Sequence, residues 1–172
     1  MISSIAATTR RLLSPRHEVS CSWWLWRRLT RALWSRGLCG QRESGAFLLG
    51  HRQGGVVRIE DFILYDDLDR HCLDSGIVHF DGRYFAELWA ECDRRDRDVV
   101  ADVHTHPRGV QQSASDRAHP MVAESGHLAF ILPNFAKAPV RPAEVGMYRY
   151  SGARSWETVL PAKRSSFFYV GI

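Results

Sequence analysis

Short apolar blocks separated by polar turns run through the chain and predict several strands. The clearest block is 99–103, which is apolar and rich in β-branched residues and therefore predicts a buried strand. Gly54 and Gly55 separate two further blocks, which predicts a hairpin. The other predicted strands are 46–49, 56–65, 127–132, 145–150 and 156–160, and the predicted loops are the polar stretch 66–76 and the proline-bearing stretch 133–142.

Helical spacing of apolar residues occurs in two places. The first helix is followed by Gly37, a natural stop; its apolar side holds Trp23, Trp26, Leu29, Thr30, Leu33 and Trp34, and Arg27, Arg28 and Arg31 lie largely opposite. We interpret it as a helix packed on the domain, although a basic aromatic helix also fits a membrane surface or a partner protein. The second helix follows Asp81 and Gly82, and its inner face holds Tyr84, Phe85, Leu88, Trp89 and Cys92.

The length and composition fit one domain. The chain has 172 residues, of which 45% are hydrophobic, and this suffices for a substantial core. Residues 1–20 are rich in serine, threonine and arginine, with no acidic residue before Glu18. We therefore expect 1–20 to be a flexible N-terminal extension, with a start codon placed too early or a transit peptide as alternatives, and 21–172 to be the folded domain.

Charge and cysteine usage exclude several classes of protein. The net charge is +4, but much of the excess is arginine near the N-terminus, and runs such as 93–98 mix both signs, so a nucleic-acid face is not expected. The four cysteines are far apart, which excludes a zinc knuckle and a disulfide framework and favours a reducing, cytoplasmic location. No apolar run approaches the roughly 18–20 residues of a membrane span, so stable membrane insertion is not expected.

The sequence His104-Thr105-His106-Pro107 is the strongest candidate for chemistry. Side chains two residues apart on a strand point the same way, so His104 and His106 should project together from the end of the 99–103 strand. Pro107 ends that strand because it cannot donate a ladder hydrogen bond. Asp116 follows after a loop, and two histidines with one carboxylate are the ligands of an open catalytic zinc site.

A hydrolytic zinc site also needs a group that takes a proton from water. Glu43, at the entry to the 46–49 strand, is the best candidate, although a glutamate in that position is ordinarily a surface or capping residue. His119 and His127 are expected in the surface or the core, since a fourth protein ligand would close the water's position.

Together these motifs resemble those of the JAMM (MPN+, or JAB domain) zinc metalloprotease family. The resemblance covers about residues 38–160. It lies in the Glu43–Gly50 segment, in His104-Thr105-His106-Pro107 and in Ser113-Ala114-Ser115-Asp116, with the loop before Ser113 one residue shorter than the commonest spacing. It implies an α/β fold of the JAB/MPN, cytidine-deaminase-like type, with a mixed, largely antiparallel central sheet flanked by helices.

The resemblance also implies roles for these residues. His104, His106 and Asp116 would hold Zn²⁺, Glu43 would act as general acid and base, and Ser113 would stabilise the oxyanion, with Ser115 as the fallback. Family members typically cut after the C-terminal glycine of ubiquitin or a ubiquitin-like protein. This chain is similar to the compact bacterial type, which is encoded beside ubiquitin-like, activating and conjugating proteins, including in antiviral operons. The expected partners are therefore a ubiquitin-like protein, its conjugates and those enzymes.

Two alternatives share the family, and a third does not. A peptidase that processes sulfur-carrier precursors would use the same chemistry on another substrate, and a non-catalytic MPN scaffold would bind partner subunits instead. An amidohydrolase barrel also uses an Asp-x-His-Thr-His run, here Asp102 to His106, at the end of its first strand. A barrel needs about 250 residues, most of them after this run, so the chain is too short for it.

Overall fold

A computed structural model describes residues 17–137 and 139–171, and an eight-stranded sheet is the centre of this part of the chain. The strand order across the sheet is β7-β6-β5-β4-β2-β3-β1-β8. The strands are β1 (Val19–Ser22), β2 (Gly45–Gln53), β3 (Val56–Leu64), β4 (Asp98–Thr105), β5 (Leu128–Leu132), β6 (Gly146–Gly152), β7 (Ser155–Thr158) and β8 (Phe168–Gly171).

The sheet is mixed and largely antiparallel, as predicted. The antiparallel pairs are β2 with β3, β2 with β4, β5 with β6, and β6 with β7. Strand β1 runs parallel to β3 and to β8, and β4 runs parallel to β5. Parallel neighbours need a long crossover connection, and the β4–β5 crossover, residues 106–127, carries part of the candidate site.

Helix α1 (Trp23–Arg36) covers one face of the sheet. It begins at Ser22, whose hydroxyl accepts a hydrogen bond from the Leu25 N–H at 3.3 Å, and it ends at Gly37. Its buried apolar residues Leu25, Trp26, Leu29 and Leu33 join alternate residues of β2 in one core, and Thr30 is buried beside them. The prediction of a helix packed on the domain is therefore confirmed.

Helix α3 (Phe85–Arg95) covers the opposite face. Its buried residues Leu88 and Cys92 pack with Phe47 and Leu49 of β2, whose neighbours Ala46 and Leu48 face α1 instead. The alternation along β2 thus divides the core into two layers, one on each side of the sheet. Three shorter α-helices are α2 (Tyr65–Leu68), α4 (Ala114–Ala118) and α5 (Arg164–Phe167). The described residues also form four short 3₁₀ helices: Gly82–Tyr84, Asn134–Ala136, Pro142–Glu144 and Pro161–Lys163.

The structure corrects several predictions. Trp23 and Trp89, predicted on the apolar faces of α1 and α3, are 42% and 45% exposed. The domain boundary at residue 21 falls inside β1, because Val19 is fully buried and pairs with both Val57 and Phe168. Residues 1–16 of the predicted extension lie outside the described residues. The first residues of the predicted loop 66–76 are helical, because α2 is a single turn that runs from Tyr65 to Leu68.

None of the helices in residues 17–137 and 139–171 is long and apolar enough to cross a lipid bilayer.

Candidate metal centre

The two histidines lie side by side at the end of β4, as their spacing predicts. His104 pairs with Gly45 of β2 and Ile131 of β5, and the His106 N–H donates to the Leu132 carbonyl at 2.9 Å, so the strand direction continues past β4. As a result the Nε2 atoms of His104 and His106 are 2.9 Å apart.

The third candidate ligand comes from the crossover after β4. Asp116 lies in the first turn of α4, and Ser113 is the N-cap residue of that helix. The Ser113 N–H donates to Asp116 Oδ2 at 2.6 Å, and the Asp116 N–H donates to Ser113 Oγ at 3.1 Å. This reciprocal capping box fixes the carboxylate of Asp116 at the start of the helix.

The three side chains fit a tetrahedral metal ion. Asp116 Oδ1 lies 3.5 Å from His104 Nε2, and Asp116 Oδ2 lies 3.3 Å from His106 Nε2. One ligand atom from each residue falls within 4.8 Å of the others. Ligands about 2.0–2.1 Å from a tetrahedral ion are separated by about 3.3 Å, so the separations of 2.9 Å between the two imidazole nitrogens and 3.3–3.5 Å to the two carboxylate oxygens are of the size that a shared divalent metal ion requires.

The carboxylate of Asp116 and the two imidazoles stabilise each other electrostatically even without a metal ion. Burial acts to raise the pKa of Asp116, but hydrogen bonds with His104 and His106 outweigh it and hold that pKa well below the ordinary value. Burial acts to lower the pKa of His104, but the hydrogen bond with Asp116 and the charges of Asp116, Asp102 and Glu43 leave it raised. In a cluster with an ionised carboxylate beside imidazoles, a divalent cation can take the place of bound protons.

Glu43 is placed by the residues that follow it. The Thr105 N–H donates to the Ser44 carbonyl at 2.9 Å, the Ser44 N–H donates to Thr105 Oγ1 at 3.0 Å, and the Ser44 hydroxyl donates to the Leu33 carbonyl at 2.7 Å. Ser44 is fully buried, so these bonds pin the chain between α1 and β4. Glu43, the residue before Ser44, is thereby held close enough to His104 and His106 for their charges to act on its carboxyl group.

The carboxyl group of Glu43 has the electrostatic environment of a proton acceptor. It is half-buried, and burial raises its pKa above the ordinary value, while the charges of His106 and His104 and the N–H of Val78 act in the opposite direction. A carboxylate with a raised pKa that faces a metal site is suited to accept and return a proton.

Ser113 is exposed, and its hydroxyl accepts the hydrogen bond from the Asp116 N–H described above. A hydroxyl that accepts in this way keeps its own proton free to donate. The structure therefore brings together the five residues singled out in the sequence: Glu43, His104, His106, Ser113 and Asp116.

A buried polar chain behind the histidines was not anticipated. Asp102 Oδ1 lies 2.7 Å from His127 Nε2, and the Tyr65 hydroxyl donates to Asp102 Oδ2 at 3.4 Å. His127 is therefore a core histidine and lies outside the ligand group, as expected; His119 is exposed beside the Ser115 carbonyl. The sequence signal that could have revealed this buried chain was Asp102, because it precedes His104 by two residues and therefore lies on the same side of β4 as His104.

A cleft of about 600 Å³ lies beside Pro107, which directly follows the second histidine. Its lining is mainly apolar, with one cation and one carboxylate at its edge; the residues include Trp34, Pro133, Phe135, Val140, Lys137 and Glu144. The Phe135 N–H donates to the His106 carbonyl at 2.9 Å, so this wall is tied to the metal centre through the backbone.

Comparison with known families decides the identity of the domain. The family of prokaryotic homologues of the JAB domain matches residues 27–141, more than half of the chain. The chain belongs to this family. The match contains all five residues of the centre, and it confirms the resemblance to the JAB/MPN group that the motifs indicate.

The proteins that are similar to this prokaryotic JAB chain include the following two. "Probable metalloprotease y4jG" of Sinorhizobium fredii is 32% identical over 66 residues, which are 38% of this chain and 41% of that protein. The similarity thus spans about two fifths of that relative. The solution structure of protein DSY2949 from Desulfitobacterium hafniense superposes with a TM-score of 0.60 at 14% identity, covering 88% of this chain and 92% of that one. This likeness shows that the two share a fold.

Proposed function

We propose that this prokaryotic JAB domain is a zinc-dependent peptidase that cleaves after the C-terminal glycine of a ubiquitin-like modifier. The observation that carries the proposal is the convergence of His104, His106 and Asp116 on one point, with Glu43 at its mouth. The similarity to a protein named as a probable metalloprotease supports the same reaction class.

A zinc ion held by the two histidines and Asp116 would supply a Lewis acid that acidifies water and polarises a carbonyl. Glu43 accepts the proton of the attacking water, and it then returns that proton to the amine that leaves. The Ser113 hydroxyl donates a hydrogen bond to the oxyanion of the tetrahedral intermediate. His104 and His106 act as neutral ligands, so both must release any proton they hold before the reaction.

The substrate class rests on the family. The resemblance to the JAMM family implies action on a ubiquitin-like modifier, and we infer removal of the modifier from a lysine side chain as the main reaction. Activating and conjugating enzymes of the same operon, a cytoplasmic location and a role in antiviral defence belong to the same proposal. Two other roles are distinguished from deconjugation by the cleavage assay: processing of a sulfur-carrier precursor, and a non-catalytic scaffold.

The test is a cleavage assay with the purified full chain. The substrates are two forms of a ubiquitin-like protein: one joined to a lysine side chain, and one extended beyond its terminal glycine pair. We expect cleavage of the lysine conjugate, loss of cleavage with a chelator, and recovery with added zinc. Cleavage of the extended precursor alone would indicate the processing role. Stoichiometric zinc without cleavage of either substrate would indicate a scaffold.

A further inference from the structure

The irregular segment 69–81 holds Glu43 at both its backbone and its side chain. The Glu43 N–H donates to the Gly76 carbonyl at 2.9 Å, and the Val78 N–H faces the Glu43 carboxylate and favours its ionised form. The direction in which Glu43 points therefore depends on where this segment, which we call the 69–81 loop, places its tip.

The 69–81 loop contains no helix or strand, so specific side-chain contacts must define its shape. Cys72 and Leu73 are buried in the core under α3 and anchor its first half. The His79 N–H returns to the Cys72 carbonyl at 2.8 Å and folds the second half over the first. These contacts do not join the two ends of the loop to each other.

Asp69 joins the two ends. Its side chain is buried, with only 4% of the residue exposed, and each carboxylate oxygen accepts one backbone hydrogen bond. The His71 N–H donates to Oδ1 at 3.0 Å, and the Asp81 N–H, twelve residues along the chain, donates to Oδ2 at 3.0 Å. One carboxylate thus closes the base of the loop whose tip contacts Glu43.

Resting on the proposed peptidase function, we propose that Asp69 is a positioning residue that keeps the 69–81 loop in the shape that orients Glu43. Asp69 acts through backbone amides and touches neither the metal ligands nor the space where a substrate would react. An ionised carboxylate has two oxygens that both accept, whereas an asparagine side chain offers one acceptor and turns a donor toward the other N–H. Asp69→Asn therefore breaks one of the two bonds with almost no change in volume.

The loop also supplies a matched control. Asp74 is exposed, and its side chain contacts the His71 ring at 2.8 Å at the surface. Asp74→Asn makes the same chemical change in the same loop, and Asp74 itself makes neither of the two bonds that close the base.

The experiment is a double-mutant cycle between positions 69 and 43, with kcat, KM and zinc affinity measured for each variant on the ubiquitin-like substrate. We expect Asp69→Asn to lower kcat about 10- to 100-fold, the loss that small misplacement of a catalytic group produces, with KM and zinc affinity unchanged. In the Glu43→Gln background the same substitution should cause no further loss, because the group it positions is already absent. Asp74→Asn should match the unmodified protein.

Hydrogen exchange at the Glu43 amide is a second readout that needs no activity. Asp69→Asn should remove protection of this amide, because its acceptor is the loop carbonyl of Gly76, and Asp74→Asn should not. If the unmodified chain cleaves no substrate, the proposed function fails, while the exchange measurement still decides whether Asp69 holds Glu43.

A second pair of variants guards against misfolding of Asp69→Asn. Asp81 has a φ of −80°, which suits proline, so Asp81→Pro removes the N–H that Asp69 accepts, and Asp81→Ala keeps it. We expect the proline variant alone to lose kcat. Full activity of Asp69→Asn with a protected Glu43 amide would overturn the proposal, as would equal losses in the two backgrounds of the cycle or equal losses in the two Asp81 variants.

Discussion

Ser113 and Asp116 orient each other through two backbone-to-side-chain hydrogen bonds, at 2.6 Å and 3.1 Å, across the first turn of α4. The spacing Ser-x-x-Asp is that of a capping box, so the motif has a structural reason as well as a chemical one. The bond at 2.6 Å is accepted by Oδ2 of Asp116, the oxygen that lies 3.3 Å from His106. The helix cap thereby delivers the carboxylate to the histidines.

Ser113→Ala removes both the cap acceptor and the hydroxyl that would donate to the oxyanion. We expect kcat to fall about 100-fold from the lost oxyanion contact, with a loss of about 1 kcal/mol in the free energy of unfolding from the lost cap. Ser113→Thr keeps the hydroxyl and should retain most activity. Ser115→Ala, two residues along the chain and also exposed, is the control. A larger loss of kcat in that variant would assign the oxyanion contact to Ser115.

Glu43→Gln removes the proton acceptor and leaves the ligands intact. We expect kcat to fall about 10²- to 10⁴-fold while one zinc per chain is retained, since the glutamine side chain cannot shuttle a proton. Glu87→Gln, an exposed carboxylate on α3, is the matched control. Metal content by mass spectrometry and initial rates check both variants, and an active Glu43→Gln protein would contradict the assignment of the base.

Asp116→Ala removes one of the three proposed ligands and leaves the two imidazoles without their carboxylate partner. Substitution of groups that merely support a ligand weakens metal binding about 10- to 100-fold, so we expect a loss of at least that size, together with loss of activity. Competition with a chromophoric chelator measures the affinity. Asp102→Asn, behind the ligands, serves as comparison, and stoichiometric tight zinc in Asp116→Ala would exclude this ligand set.

The raised pKa of His104 predicts opposite pH dependence in the zinc-free and zinc-loaded protein. Without zinc, folding takes up a proton at this site, so its contribution to the free energy of unfolding is full below the ordinary value of 6.5 and is lost as the pH rises through the raised value. With zinc, protons compete with the metal, so the stabilisation by zinc grows over the same interval.

Melting temperatures at pH 6 and pH 8, with chelator or with zinc, measure both trends. The gap between the two melting temperatures should widen toward pH 8. A gap that is independent of pH would show that zinc does not displace a proton from His104.

Gly45→Ala tests the close packing beside the histidines. A Cβ there would overlap the ring of Tyr65 and approach the Val103 carbonyl to 2.8 Å, and Gly45 pairs directly with His104. We expect a loss of about 1–3 kcal/mol in the free energy of unfolding, measured by denaturant titration. Gly82→Ala, where the nearest atom would be 3.9 Å away, should be close to neutral; equal effects would show that the Tyr65 contact is unimportant.

The sequence predicted the elements whose pattern is local. The 99–103 strand, the amphipathic α1 and the β2–β3 hairpin all carry their signal within a few residues, and each was found. The approach of His104 to His106 likewise follows from the period of a strand. Asp116 and Glu43 come together with them only through the crossover and the Ser44 bonds. The chemistry of a catalytic metal site made both residues candidates, and the family resemblance strengthened their assignment.

The missed strands are short, and their local signals are correspondingly brief. Strand β1 alternates Val19 and Cys21 with serines over four residues, and β8 is an aromatic and β-branched run of three residues, Phe168 to Val170, before Gly171. Their stability comes from pairing with each other and with β3, which no short window of sequence can show. The Tyr65–Asp102–His127 chain was missed because three separate segments contribute to it, and only Asp102, two residues before His104, carried a signal.

The pairing of Val19 with Phe168 has a consequence for the order of folding. Almost the whole chain lies between these two residues, so their contact carries a loop-closure cost that the β2–β3 hairpin avoids. The β1–β8 border is therefore expected to assemble after the central strands and to be absent from the rate-limiting barrier. Substitutions there should accelerate unfolding while leaving the refolding rate nearly constant.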